Sequence, residues 1–198
     1  MPRCVRLFYS FRSPYSYIGG PRIFALPERY DIDLQWHGVP PMIERGVPLS
    51  QAKLMYILVD AQRVARKLGL PFQLPSPDPL PFARGLLRGA EYARDRGRVG
   101  PWVLAVSRAV WGEQRDISDP AVVREITEAA GLDAEGVLRA IEGNEAYDAR
   151  IDASAKLLEE VGHWGVPTLE VDGQLFWGQD RIAYLEDFLN GQGCRRRR

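Results

Sequence analysis

The sequence predicts an α/β protein whose sheet is split by a large all-helical insertion. Three observations carry that reading: the chain opens strand, helix, strand; it closes strand, strand, helix; and residues 49–161 between them show only helical periodicity and proline punctuation. With 198 residues, 45% of them hydrophobic and 26% charged, the chain has a globular composition and length enough for a sizeable core.

Val5, Leu7, Tyr9 and Phe11 alternate with Arg6, Phe8 and Ser10, a strand apolar on both faces and therefore central in its sheet. Ser13-Pro14 then starts a helix expected to reach Leu26: serine caps free N–H groups, and proline is tolerated in the first turn. Ile32, Leu34 and Trp36 give a second strand, parallel to the first because a helix joins them. A loop rich in proline and glycine, 38–48, leads to a helix from Ser50 to Leu68. Five prolines between Pro71 and Pro81 exclude regular helix there. Helical patterns follow over 82–96, 101–113, 119–130 and 134–161, the last broken near Gly143. Thr168 to Val171 and Leu175 to Trp177 form a hairpin around Asp172-Gly173, a pair that accepts positive φ. A helix from Asp180 to Leu189 closes the pattern, and residues 191–198 read as a mobile basic tail ending in four arginines.

Lys plus Arg balances Asp plus Glu at 26 each, which argues against a nucleic-acid binder. Cys4 and Cys194 form no C-x-x-C, so neither a zinc site nor a dithiol redox motif is legible, and two free thiols suit a reducing cytoplasm. No apolar stretch is long enough to span a membrane. His37 and His163 lack metal-ligand spacing; His37 is placed near the cleft at the end of strand two, and His163 is read as structural. Trp102, Trp111, Trp164 and Trp177 are read as core more than pocket lining.

The element order is that of a thioredoxin-like fold, formed by residues 1–48 and 162–190, with 49–161 as the inserted helical subdomain. Phe8-Tyr9-Ser10-Phe11-Arg12-Ser13-Pro14-Tyr15-Ser16-Tyr17 stands where that fold carries C-x-x-C, and Gly165-Val166-Pro167-Thr168 stands where it carries a cis-proline loop. Lys53, Tyr56, Asp60 and Arg63 share one helix face, followed by Gly69-Leu70-Pro71; Val110-Trp111-Gly112-Glu113 precedes Asp116 to Pro120; Phe176-Trp177-Gly178-Gln179-Asp180-Arg181 opens the last helix. In this order the stretches resemble the 2-hydroxychromene-2-carboxylate isomerase and kappa-class glutathione transferase family, on the DsbA-like branch of the fold.

The resemblance implies a site for glutathione, with Ser13 as the catalytic residue. Read from the residue alone, Ser13 is a helix N-cap; a hydroxyl there, with the helix dipole and free N–H groups, also suits the activation of an incoming thiol. The resemblance further implies that Pro14, Tyr15, Lys53, Val166, Pro167, Gln179 and Asp180 bind the tripeptide, Val166-Pro167 in the cis form, Gln179 and Asp180 at the γ-glutamyl end. Read alone, Asp180 is an N-cap and the Lys53 face a solvated one. The transferase members carry an Asn in the loop before this helix that contacts glutathione; Arg45 to Leu49 holds none. The implied activity is isomerisation of an unsaturated oxo-acid through transient thiolate addition. The alternatives are transfer of glutathione to an electrophile, and a binding protein without turnover. The implied partner is a small molecule, and a homodimer is open.

Overall fold

The structure is a computed structural model and describes residues 2–195. Among these residues the sheet has four strands in the order β2-β1-β3-β4: β1 (Arg3–Tyr9), β2 (Ile32–Gly38), β3 (Thr168–Val171) and β4 (Gln174–Trp177). β1 pairs parallel with β2, from Arg3 opposite Ile32 to Tyr9 opposite Gly38, and antiparallel with β3, Leu7 opposite Leu169. β1 is thus interior to the sheet, as its apolar character requires. It ends at Tyr9, two residues before the alternation does, because Phe11 and Arg12 form the turn into the first helix. In the β3–β4 hairpin both Asp172 and Gly173 take positive φ, 50° and 78°.

α1 (Pro14–Phe24) crosses from β1 to β2, and a four-residue helix α2 (Leu26–Arg29) completes the crossover. α3 (Gln51–Lys67), α4 (Ala83–Arg94), α5 (Val99–Trp111), α6 (Pro120–Ala129), α7 (Ala134–Glu142) and α8 (Glu145–Glu160) stand between β2 and β3. Gly143 and Asn144 separate the last two, and Asn144 caps α8 by accepting the Tyr147 N–H. The final helix, α9, spans Ile182–Gly191.

Val5, Leu7 and Tyr9 point into the main core with Ile18, Trp36 and Trp102, under α1 and α5. Phe8, on the other face, packs with Val39 and Leu158 beneath α8. Tyr9 is fully buried and shares a hydrogen bond of 2.7 Å with Ser107 of α5, so its hydroxyl is satisfied inside the core.

The end of the chain differs from the mobile tail expected for 191–198. Gly191 closes α9, Cys194 is buried, and its carbonyl accepts the Asp31 N–H at 2.7 Å. Arg195 makes an antiparallel bridge with Tyr30. The carbonyl of the same Asp31 accepts the Arg3 N–H at 3.2 Å, so the first strand and the last described residues meet at one residue. Arg196 to Arg198 lie outside the described residues.

Candidate active site

Ser13 occupies the N-cap of α1 in an extended conformation (φ −97°, ψ 114°). Its Oγ accepts the Ser16 N–H at 3.1 Å and donates to the Val166 carbonyl at 3.2 Å, a contact across 153 residues. Pro14 fills the first helical position, where no N–H is needed. The Tyr15 N–H has no acceptor among the described residues, so the positive end of the α1 dipole is left open. The Val166-Pro167 peptide is cis, and the Val166 N–H likewise has no acceptor.

These groups border a cavity of about 850 Å³, within the roughly 300–1,000 Å³ range of small-ligand sites. Ser13, Pro14, Tyr15 and Val166 line it on the sheet side, and Gln179 and Asp180 line one end. From the insertion, α3 contributes Lys53, Tyr56 and Asp60. Arg63, on the same helix face, does not line the cavity, where Val64 takes the corresponding place.

Most charged side chains of this cavity already have partners. The Tyr15 hydroxyl donates to Asp60 at 2.6 Å, fixing α3 against the first turn of α1. Burial and this bond push the Tyr15 phenol well above its ordinary pKa, so it is not a base near neutrality. Lys53 extends its ammonium over the Trp164 ring, 4.5 Å from the centroid, an energetically favourable cation–π arrangement. Gln179 is buried, and Arg22 donates to both its carbonyl (2.7 Å) and its side-chain oxygen (2.6 Å), leaving the side-chain amide nitrogen as donor. Asp180 does not cap the last helix: residues 179–181 form a 3-10 turn before α9, whose N-cap, Arg181, makes no side-chain cap bond. Asp180 instead lies exposed, 3.5 Å from the Arg181 guanidinium.

Two other expectations change. His37 is not in the cleft. It stacks on Phe8 at 5.2 Å and faces Ser154 of α8 on the opposite side of the sheet. Burial, then the nearby Arg94 and Arg6 guanidiniums, hold its pKa at about 4. Trp102 is a core residue; Trp111 is buried in the core but also borders the cavity, and Trp164 and Trp177, 37% and 44% exposed, line it as well. His163 does support this wall, accepting the Gly165 N–H at 3.0 Å and stacking on Trp164.

Sequence reasoning missed one pair. The proline-rich segment 71–81 forms a strap along the cavity, fastened by Tyr17 Oη to the Pro71 carbonyl at 2.5 Å and by the Gln73 N–H to the Trp111 carbonyl at 2.7 Å. Asp78 of this strap takes Arg12 bidentately, Nε at 3.0 Å and Nη2 at 2.8 Å. The guanidinium holds the Asp78 carboxyl below the usual carboxylate range. The available signal was a lone arginine at the strand-to-helix junction beside Ser13; its partner 66 residues away had none.

A sheet with a parallel βαβ start, an antiparallel β3–β4 hairpin, a cis-proline loop facing a helix N-terminus and helices between β2 and β3 defines a thioredoxin fold of the DsbA type. Residues 4–190 match the model of the DSBA-like thioredoxin domain, and the chain belongs to that family. Among individual proteins, it is 27% identical over 199 residues to a 2-hydroxychromene-2-carboxylate isomerase of Pseudomonas putida, covering 96% of each chain. It is 26% identical to human glutathione S-transferase kappa 1, covering 96% of this chain and 92% of that one. A solved structure of a 2-hydroxychromene-2-carboxylate isomerase superposes with a TM-score of 0.81 at 26% identity, over 96% of this chain and 95% of that one. No helix among the described residues is long and apolar enough to cross a membrane.

Proposed function

We propose that the chain is a glutathione-dependent isomerase of the 2-hydroxychromene-2-carboxylate isomerase type, acting in the cytoplasm on an unsaturated aromatic oxo-acid. One observation supports this above all: a serine hydroxyl, not a thiol, sits at the open N-terminus of α1 against a cis-proline loop and borders a cavity large enough for two small ligands. The donor set fits a tripeptide thiol. The unpaired Val166 N–H is available to pair with an extended peptide backbone, as in strand addition. Gln179 and Asp180 offer an amide donor and a carboxylate for an amino-acid end, and Lys53 a cation for a carboxylate.

When bound, glutathione supplies a thiolate that adds reversibly to a conjugated carbon, so that a double bond becomes single long enough to rotate. The Ser13 O–H, which donates to the Val166 carbonyl, would be the side-chain donor for a thiolate bound at the start of α1, where the helix dipole and the Tyr15 N–H would favour negative charge. Tyr15, held by Asp60, keeps the first turn of α1 in place. Lys53 stands on the cavity wall beside Trp164, where its cation would hold a carboxylate of the bound tripeptide.

Calorimetric titration with reduced glutathione, followed by an assay of 2-hydroxychromene-2-carboxylate isomerisation, tests this. Saturable binding and turnover are expected in the wild type. Ser13→Ala is expected to keep most of the affinity and to lose about a hundredfold or more in kcat. Conversion of a halogenated nitroarene to a glutathione adduct, with no isomerisation, would replace isomerase by transferase. No binding at millimolar glutathione would overturn the reading.

A further inference from the structure

We propose that Arg12 is the specificity-determining residue for the acceptor, and that it selects a planar, apolar acceptor bearing a carboxylate. This rests on the functional reading above for the acceptor's role, but not for the binding itself.

The cavity is not uniform. Besides α1, α3 and the cis-proline loop, the strap and α5 give it apolar lining, Leu74, Pro75, Pro79 and Trp111. Trp111 is held by its Nε1–H, which donates to the Phe11 carbonyl at 2.8 Å, and is stacked on Phe72 at 5.7 Å, so this ring is fixed in place. The cation that belongs to this region is Arg12, adjacent in sequence to Ser13. Its hydrogen bonds to Asp78 use only Nε and Nη2. Nη1, with two N–H groups, has no acceptor among the described residues. Glu44 lies near enough to favour the Arg12 charge but makes no hydrogen bond to it, so a guanidinium anchored along one edge by Asp78 keeps Nη1 for a further carboxylate, and the anchor removes most of the rotamer entropy that a free arginine would lose on binding.

The other cations of the cavity are placed differently. Arg181 pairs with Asp180 at the amino-acid end. Lys53 lies over Trp164, next to the cis-proline loop where the tripeptide would run. Arg12 therefore has the combination an aryl or aryl-alkenyl carboxylate requires: apolar walls for the ring, a fixed fork for the acid, and Ser13 as its immediate neighbour.

The test uses 2-naphthoate and 2-naphthamide, which match in shape and differ in charge, each titrated into the full chain by calorimetry with and without glutathione. The wild type is expected to bind the acid at least about tenfold more tightly than the amide, the usual worth of a hydrogen bond to a charged group. In Arg12→Gln that preference should disappear, and in Arg12→Lys it should return in part. Asp78→Asn weakens the anchor but keeps the cation, and Tyr17 and Gln73 still fasten the strap, so it should retain the preference; this separates loss of charge from loss of the anchor. Equal affinity of the wild type for acid and amide would overturn the proposal, as would a preference that survives in Arg12→Gln but is lost in Lys53→Gln. Glutathione titrations of the same proteins report on the thiol site separately, so a protein that ignores glutathione yet prefers naphthoate through Arg12 would refute the functional reading and leave this one standing.

Discussion

His37 shows how far one buried residue sets the response of the molecule to acid. Its imidazole is sandwiched between Phe8 and α8, and its Nε2 has no partner. The folded state holds it neutral down to about pH 4, whereas an unfolded histidine takes up its proton near 6.5. Between those values the unfolded chain binds more protons, so this residue's contribution to stability is complete above about pH 6.5 and is lost as the pH falls toward 4. Glu91, buried on α4 with its carboxyl pushed upward by burial, works in the opposite direction in acid. Replacing the histidine separates the two. Thermal melts of His37→Gln between pH 7 and 4 should fall less steeply than those of the wild type; parallel curves would contradict the assignment. At this scale the sequence was legible where one residue does one local job. Ser13 as cap and Asp172-Gly173 as turn follow from backbone chemistry alone. His37 was misplaced because alternation fixes which face of a strand a residue takes but not which helix covers that face. Asp180 was misplaced because a cap and a 3-10 turn share the same residue types.

Helices in this protein owe their positions to close approaches as much as to amphipathic patterning. On α4, an added Cβ at Gly89 would lie 2.7 Å from Cζ2 of the fully buried Trp102 on α5. On an exposed helix, glycine to alanine gains about 1 kcal/mol from propensity. Here the indole cannot yield, so Gly89→Ala is expected to destabilise by about 1–3 kcal/mol in urea titrations. An increase in stability would show that α4 and α5 have slack between them. Element order, the helix break at Gly143 and the split of the sheet were legible from periodicity and punctuation. The strap was not, because proline density says only that 71–81 is irregular. What fastens it, Tyr17, Gln73 and Arg12, is long-range geometry that no local pattern encodes. α3 lies between these cases. Only Ala61 and Ala65 are buried on it, while Leu54 and Ile57 line the cavity and Leu58 and Val64 serve both the core and the cavity, so its apolar pattern records a binding wall as well as a core.

Across the whole molecule, the cavity is a joint product of segments distant in the chain: the start of α1, the cis-proline loop, α3 and the strap. That explains why its outline could be anticipated only in part. Motifs named the sheet-side residues and the Lys53, Tyr56 and Asp60 face of α3, while the contribution of the strap and Arg12 depended on long-range contacts. Asp31 has a different consequence at this scale. Because it takes Arg3 on its carbonyl and Cys194 on its N–H, the stretch from residue 3 to residue 194 nearly closes a ring. A ring has no privileged starting point. Joining Arg195 to Arg3 through a short glycine-serine linker, and opening the chain at the exposed Gly143 between α7 and α8, would reorder the genetic text while leaving the cavity residues where they are. Such a rearranged protein should keep the naphthoate preference of its parent. Loss of that preference in a folded product would show that the order of synthesis, and not only the final contacts, shapes the site.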